Sequence, residues 1–227
     1  MKKLTFLLVF ISIFGYSQTP ITDANIQTAV NLWVSDPAAA TTTYGNISDW
    51  DVSQVTDMSE LFREKIYFNG DISNWNTSSV TNMWGMFYRA SDFNQDIGSW
   101  DVSSVIDMEY MFSNANSFNQ DISGWDVSNV ADMYAMFFYA SDFNQDIGAW
   151  DVSNVTNMSY MFYNAQSFNQ DISSWCVTNF VSEPTQFSTN TPLYESNKPV
   201  WGSCPTLNQN LVGSWYGTSV DNSQPPT

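Results

Sequence analysis

The sequence predicts an α/β repeat solenoid, and its periodicity leads to that prediction in three ways. Trp recurs every 25 residues from position 50 to position 175. A Met column and two Phe columns keep the same step through the middle of the chain. Within each unit, the spacing of apolar residues changes from two to three. A constant period of this length is typical of solenoids, in which each unit buries its apolar face only against its neighbours.

One unit is expected to combine a short strand with a helical segment. Trp100 and Val102 are two residues apart, so both side chains point to one face of a strand. The following apolar residues come at steps of three, three, one and three and lie on one stripe of a helix or of helical turns, at Val105, Met108, Met111, Phe112 and Ala115. Phe118 then closes the coil. Strands of neighbouring units are expected about 4.8 Å apart, so that like residues stack on like.

The repeated motif is Ile-x-x-Trp-x-Val-x-x-Val-x-x-Met-x-x-Met-Phe-x-x-Ala-x-x-Phe, preceded by Phe-Asn-x-Asp. It resembles the leucine-rich repeat of BspA-family bacterial surface proteins over roughly residues 46–180. The resemblance implies a leucine-rich-repeat-like right-handed superhelix with short parallel strands, helical or 3-10 convex segments and a cap at each end. It also implies a role in adhesion, because the family is known mostly for surface and adhesion proteins.

The first 45 residues precede the repeats. Lys2 and Lys3 stand before an apolar run, which predicts a secretory signal peptide at residues 1–17 and an exported, soluble protein. Residues 18–45 are expected to form an N-terminal helical cap. Thr22 or Asp23 is the predicted N-cap, Pro37 the predicted end, and the buried face would carry Ile26, Ala29, Val30, Trp33 and Val34. A docking helix for a partner is the functional alternative.

The solenoid is predicted to span residues 46–180 and to have grown by copying two units together. Ala-Ser-Asp-Phe-Asn-Gln-Asp-Ile-Gly stands at 90–98 and again at 140–148. Such copying preserves the residues that pack between units, whereas it rarely preserves a catalytic site that occurs only once.

The C-terminal end of the array is predicted from its two cysteines. The column of Asp51, Asn76, Asp101, Asp126 and Asp151 ends at Cys176, and the only other cysteine is Cys204. In an exported protein these two are expected to form a disulfide that fixes a cap at residues 181–205 over the last strand. Closing this loop is expected to stabilise the fold by about 3–4 kcal/mol. Residues 206–227 are expected to be a tail or linker.

The charge of the chain excludes several classes of partner. Without residues 1–17, four basic residues face 23 acidic ones, a net charge of −19. Nucleic acid and anionic membranes both require a basic surface, so neither is expected as a partner. The hydrophobic content of 43% nevertheless predicts a packed protein rather than a disordered acidic one.

Two of the repeated columns are expected to be core. The Trp column could form a platform for sugars or bases, and the Met column could bind a soft metal. Both columns instead occupy the inward positions of the motif, so packing is the prediction for both.

The Asp columns are expected to need compensation for their mutual repulsion. The column of Asp71, Asp96, Asp121, Asp146 and Asp171 follows Asn in the return loop, where side-chain-to-backbone turns predict a structural role. The second column, on the predicted open strand face, is the better candidate for a partner, with Asp51, Asp101, Asp126 and Asp151. Asp101, Asp126 and Asp151 are also the calcium candidates, but the motif lacks an EF-hand loop, so no metal or cofactor is expected.

Aromatic residues outside the apolar stripe form a third candidate. These residues either form an exposed binding surface or widen a thin core, and the sequence leaves both roles possible. They are Trp84, Tyr88, Tyr110, Tyr134, Phe138, Tyr139, Tyr160 and Tyr163.

Enzymatic activity is not expected. The chain has no His, which excludes Ser-His pairs, Cys-His pairs and imidazole metal sites. Glycoside hydrolysis requires one asymmetric acid pair, whereas here every unit repeats the same acids. The expected function is non-catalytic, adhesion-type binding of an extracellular protein or matrix component by a secreted or cell-surface protein. The alternatives are a carbohydrate-binding module that uses the exposed aromatics and a structural spacer within a larger surface protein.

Overall fold

The structure is a computed structural model that describes residues 18–205. The predicted signal peptide and the predicted tail lie outside these described residues. Within residues 18–205 there is no strand, and the helices are α1 (Ile26–Ser35), α2 (Pro37–Tyr44) and two 3-10 helices, Ile47–Asp49 and Glu195–Asn197. None of the helices in this range is long and apolar enough to cross a membrane.

Successive 25-residue units stack in register. Isolated parallel bridges join Asp57 to Asn82, then run through Asp107 and Asp132 to Asn157. Aromatic rings stack on the equivalent ring of the next unit: the Phe87 and Phe112 centroids are 5.5 Å apart, with their planes 4° from parallel. A single core therefore runs through all units without a break.

The Trp column lies in this core, as the sequence predicts. The six repeat tryptophans are 1–4% exposed. Each indole N–H also donates to a backbone carbonyl, as Trp125 does to Ile97 at 3.1 Å, 28 residues earlier. The column therefore links neighbouring units through hydrogen bonds as well as packing, which the periodicity alone does not reveal. The Met column is completely buried too.

A continuous helix, one of the two possibilities for this stripe, is absent from the described repeats. The predicted stripe is buried, but its backbone forms successive turns, with N–H of Met111 bonded to the carbonyl of Met108 and N–H of Ala115 to that of Phe112. Tyr110 and Asn114 interrupt any helix because their φ angles are 56° and 58°. Consecutive turns repeat every two or three residues, so their apolar spacing imitates that of a helix.

The strand predicted at Trp100 and Val102 is also absent from the described residues. Both side chains are buried, as their alternation predicts, but the inter-unit bridges lie at the column of Asp107. In that segment, every second backbone N–H group donates to a carbonyl of the next unit. Met108, Tyr110 and Phe112 donate to the carbonyls of residues 132, 134 and 136 in the next unit at 2.9–3.0 Å. The other N–H groups close turns within the unit, so the backbone donors of this segment are shared between its own unit and the next.

An asparagine ladder holds the return loops together. The side-chain oxygen of Asn94 accepts the backbone N–H of Asn119 at 3.0 Å and the side-chain amide of Gln120 at 2.9 Å. The same bonds recur one unit later, where the oxygen of Asn119 accepts from Asn144 and Gln145. This column fixes the register of neighbouring return loops.

The N-terminal segment folds over the first unit as two helices rather than one. The predicted caps Thr22 and Asp23 are wrong, because the residue before α1 is Asn25 and its side chain makes no capping bond to the helix. Asp23 instead accepts the backbone N–H groups of Thr56 and Asp57 in the first unit. Pro37 does not only end α1: it is the first residue of α2, where its missing N–H costs nothing.

The C-terminal segment continues the stack as a divergent unit. The N–H groups of Tyr160, Phe162 and Asn164 donate to the carbonyls of residues 185, 187 and 189 at 2.8–2.9 Å. Cys176 and Cys204 are joined in a disulfide, with their Cα atoms 4.1 Å apart. The sequence suggested that this segment lies across the last repeat. Instead, it forms the same backbone hydrogen bonds to that repeat as the repeats form to one another.

Candidate binding surface

The acidic columns are held by the backbone of their own turns. Asp101 accepts the N–H of Ser103 at 3.0 Å and its hydroxyl at 2.6 Å, and Asp126 accepts the N–H of Ser128 at 3.1 Å. Asp51 and Asp151 bond their own Ser residues in the same way. These four candidates are exposed. They begin tight turns instead of lining a strand face, so each carboxylate is committed to its own turn.

The local bonds of these carboxylates offset their mutual repulsion. Hydrogen bonds from the hydroxyl and backbone of Ser103 lower the pKa of Asp101, although burial and the like charge of Asp126 raise it. Ser128 lowers the pKa of Asp126 in the same way. Between residues 18 and 205, no group of three or more acidic, His or Cys side chains is arranged to hold a metal ion. The return-loop column also forms such turns, as predicted, since Asp96 accepts the N–H of Gly98 at 3.0 Å.

The aromatic residues outside the stripe come together in one continuous surface, which we call the aromatic band. Tyr110 is its junction, with ring centroids 6.3 Å from Trp84, 6.0 Å from Tyr88 and 5.1 Å from Tyr134. The contacts then run from Tyr134 to Tyr160 at 5.7 Å. The band consists of Trp84, Tyr88, Tyr110, Tyr134, Phe138, Tyr139, Tyr160 and Tyr163.

The far end of the band is a compact aromatic cluster. Phe138 stacks on Tyr163 at 5.1 Å and meets Tyr139 at 4.7 Å. Tyr139 is 39% exposed, and the other members of the band are half-buried. The rings therefore pack against each other sideways while each keeps one part in water. This arrangement combines the two possibilities left open by the sequence, because the band widens the core and also presents an aromatic surface.

Half-buried carboxylates border the middle of the band. Burial raises the pKa of Glu109, and the charges of Asp132 and Asp107 raise it further. Burial likewise raises the pKa of Asp107, with a contribution from Asp132. Burial and the hydrogen bond with Tyr134 raise the pKa of Tyr110 to about 12, so its hydroxyl is neutral at physiological pH. The band thus offers neutral rings beside concentrated negative charge.

A cleft of about 240 Å³ opens at the other end of the band, lined by Arg63, Trp84, Gly85, Tyr88 and Tyr110. The guanidinium of Arg63 lies 5.0 Å from the Tyr88 ring centroid and 5.9 Å from that of Trp84. Gly85 provides the space, because the equivalent residue one unit later is Tyr110 and a Cβ at Gly85 would meet nothing closer than 3.7 Å.

The sequence indicated the rings of this surface but not the cleft. Its period identifies the aromatic residues because they fall outside the apolar stripe. Arg63 and Gly85 lie in columns that have no constant residue, so periodicity carries no signal for them.

The comparisons with known proteins give one match. A family described as "Mycoplasma protein of unknown function, DUF285" matches residues 35–137 and 105–201. No curated protein and no solved structure matches the chain. The two matched segments together cover nearly all of the described stack.

Proposed function

We propose that this chain, which belongs to the DUF285 family, is a BspA-like, leucine-rich-repeat-like right-handed solenoid that binds an extracellular protein or matrix component. We further propose that it is exported, that it acts at or outside the bacterial cell surface, and that it binds without catalysis. The aromatic band carries the proposal, because it is a continuous aromatic surface whose equivalent positions carry different side chains in different units.

The band has the composition of a recognition surface. Tyr and Trp are enriched in protein interfaces because they offer a large contact area at little entropic cost. In this stack, core columns repeat in every unit, whereas the band combines different rings at equivalent positions, as at Trp84 and Tyr134. Packing alone does not require this variation, so selection for a specific partner explains it better.

The charge beside the band narrows the chemistry of the partner. Asp107, Glu109 and Asp132 are half-buried next to the rings. A partner that places apolar side chains on the band and Lys or Arg at its rim would relieve the repulsion among these carboxylates. We therefore propose a protein surface with an apolar centre and a basic rim.

The location outside the cell rests on two observations. The disulfide between Cys176 and Cys204 is typical of proteins in oxidising compartments. The charge of the chain agrees with an extracellular, well-solvated protein.

A panel of purified extracellular matrix proteins, immobilised and probed with the chain, tests the proposal. The double variant Tyr134→Ser/Tyr160→Ser should lose binding at least about tenfold, as for the loss of interface anchors. The matched control is Ile106→Ser, which removes an exposed large side chain (56% exposed) with no ring contact in the band. Equal binding by wild type and the double variant would contradict the proposal.

Carbohydrate is the second candidate, and the cleft at Arg63 favours it. Trp84, Tyr88 and Tyr110 supply ring faces on which a sugar can stack, and Arg63 supplies hydrogen-bond donors at the edge. A glycan array with wild type and Trp84→Ala separates the two candidates. Glycan binding that is lost in Trp84→Ala but kept in Tyr134→Ser/Tyr160→Ser would assign the cleft to a sugar.

A further inference from the structure

The aromatic band repeats every two units rather than every unit. In one unit and again 50 residues later, an aromatic residue is followed by a small residue and then, three positions on, by a second aromatic residue. The unit after each of these two carries Tyr at the position of the small residue. The two copies of the pattern are Trp84, Gly85 and Tyr88, and Tyr134, Ala135 and Phe138.

The rings of this pattern meet in two groups of three, which we call the first and the second trio. In the first trio, the ring centroid of the third residue lies 6.3 and 6.0 Å from those of the other two, with the planes at 87° and 81°. In the second trio these distances are 5.7 and 6.3 Å, and the planes are at 60° and 64°. Each trio therefore combines two rings of one unit with a steeply inclined ring of the next. The first trio is Trp84, Tyr88 and Tyr110, and the second is Tyr134, Phe138 and Tyr160.

The two trios share the class of their side chains rather than their identity. Tyr88 corresponds to Phe138, and both side chains are aromatic. The small residue is buried at both sites, as Gly85 and as Ala135. Simple copying of two units would leave identical residues, so what the trios have in common is a pair of rings beside a small side chain. In the first trio this arrangement encloses the cleft of about 240 Å³, which has room for a pyrrolidine ring.

Carboxylates lie between the two trios. Glu109 occupies the same column as Trp84 and Tyr134, one unit from each. Asp107 and Asp132 are half-buried, and burial together with their two charges raises the pKa of Glu109. Within residues 18–205, none of these three carboxylates forms a salt bridge. A ligand that brings a basic group to this point would relieve their mutual repulsion.

The distance between the trios fits one turn of a polyproline II helix. Segments joined by parallel bridges lie about 4.8 Å apart, so two units separate the trios by about 10 Å. A polyproline II helix rises about 3.1 Å per residue and completes a turn in three residues, which is about 9.3 Å. Two prolines at positions i and i+3 of such a helix therefore face the same way at the spacing of the trios.

We propose that the two trios bind one proline-rich segment of an extracellular protein in the polyproline II conformation, with a basic residue between its two prolines. This inference rests on the proposed function, because it names the part of the partner that contacts the band. Each proline packs on the rings of one trio, and the Lys or Arg between them reaches the carboxylate of Glu109. Aromatic-lined grooves suit such segments because the polyproline II helix is already extended before it binds, which lowers the entropic cost.

The basic residue distinguishes this ligand from a sugar chain. A linear neutral glycan can also span two aromatic sites, but it gains nothing from three carboxylates between them. An acidic glycan would be repelled by the same carboxylates. The charge between the trios therefore favours the peptide.

Fluorescence anisotropy of three labelled synthetic peptides, titrated with the purified wild-type protein, tests the proposal. The first peptide contains Pro-Ala-Arg-Pro, the second has an additional Ala between the prolines, and the third has Glu in place of Arg. Wild type should bind the first peptide at least about tenfold more tightly than the other two, as for the loss of an interface anchor. The additional Ala rotates the second proline away from its trio by about 120°, and the Glu meets like charge.

Two variants of the chain assign the contacts. Trp84→Ala removes a ring of the first trio and should weaken binding of the first peptide at least about tenfold. Glu109→Gln keeps the shape of the side chain without its charge, so it should reduce the preference for Arg over Glu and leave the preference for the shorter spacing unchanged. The matched control is Ile106→Ser, which lies outside the ring contacts of the band and should bind like wild type.

Three results would overturn the proposal. They are equal affinity for the two spacings, an unchanged preference for Arg in Glu109→Gln, and binding of a β-1,4-linked glucose oligomer in place of all three peptides. The panel of matrix proteins separates such a failure from failure of the proposed function. If that panel still shows binding that is lost in Tyr134→Ser/Tyr160→Ser, the band binds a protein by another mode and only the proline-rich ligand is wrong.

Discussion

Glu64 is exposed and holds a left-handed backbone conformation, with φ 58°. This conformation costs an L-residue with a side chain about 1–2 kcal/mol, whereas glycine adopts it freely. The variant Glu64→Gly should therefore be more stable than Glu64→Ala by about 1 kcal/mol, since both lose the same carboxylate. Urea unfolding of the two variants measures this difference.

Ala149 is the control for this comparison. It is exposed and lies outside the left-handed positions, so Ala149→Gly should lower stability by about 0.5–1 kcal/mol through the greater freedom of the unfolded chain. If glycine is unfavourable at both sites, the alternating backbone of the repeat is not the one described here.

Asp107 and Asp126 should respond to neutralisation in opposite directions. Burial and Asp132 raise the pKa of Asp107, so its charge destabilises the fold at neutral pH, and that cost disappears as the pH falls toward 3.8. Asp107→Asn, which keeps the turn acceptor as Asn82 does in the same column, should raise the Tm by a few degrees at pH 7 and leave it unchanged near pH 3.

Ser128 lowers the pKa of Asp126, so the charged form of Asp126 stabilises the fold at pH values above the pKa of the unfolded state. This stabilisation is lost as the pH falls through the pKa of the folded state. Asp126→Asn should accordingly lower the Tm slightly at pH 7. Melting curves of both variants at pH 3 and pH 7 check the signs. A rise in Tm for both variants at pH 7 would mean that general repulsion, rather than local bonding, governs the acidic columns.

At the scale of the element, the asparagine ladder predicts that removing one side-chain oxygen lowers the stability of the fold. The Asn119 side-chain oxygen accepts from the Asn144 N–H at 2.9 Å and from Gln145 at 2.8 Å. Asn119→Ala leaves both donors without this acceptor in a half-buried corner and should cost about 1–3 kcal/mol. Asn119→Asp keeps the acceptor and should recover part of that loss at pH 7. If both variants lose the same stability, the ladder contributes through shape rather than hydrogen bonding.

The disulfide should stabilise one end of the stack rather than all of it. Its 28-residue separation corresponds to about 3–4 kcal/mol of loop entropy in the unfolded chain. Reduction, or the pair Cys176→Ser/Cys204→Ser, should increase amide hydrogen exchange in residues 181–205 more than in the middle units, because each unit contacts only its neighbours. Uniform loss of protection along the array would contradict this.

These elements show what periodicity can predict. It identified the columns that are buried, because burial is what a constant period enforces. It misassigned the backbone, because a series of turns spaces apolar residues as a helix does. In the segment Tyr110-Met-Phe-Ser-Asn114, only Asn114 belongs to a residue type that favours a left-handed φ, and that preference is weaker than the preference of glycine. The same reasoning gave the rings of the aromatic band but missed Arg63 and Gly85, which occur once and have no period.

At the scale of the whole molecule, the structure separates a repeated scaffold from a surface that varies. Stability is distributed over interfaces between units, so units should be removable where the register is kept. The sequence offers a natural junction. Ala-Ser-Asp-Phe-Asn-Gln-Asp-Ile-Gly at 90–98 recurs at 140–148, so deletion of residues 91–140 joins Ala90 to Ser141 and recreates a sequence that the chain already contains.

The most direct test of this account is the unfolding of that 50-residue deletion beside a deletion of residues 91–135, which breaks the register by five residues. The in-register deletion should unfold in a single cooperative transition with the Cys176–Cys204 disulfide intact, at somewhat lower stability because two interfaces are lost. The out-of-register deletion should not fold cooperatively, although it removes fewer residues. If the two deletions unfold alike, the units are not held by stacking in register, and the separation of scaffold from binding surface fails with it.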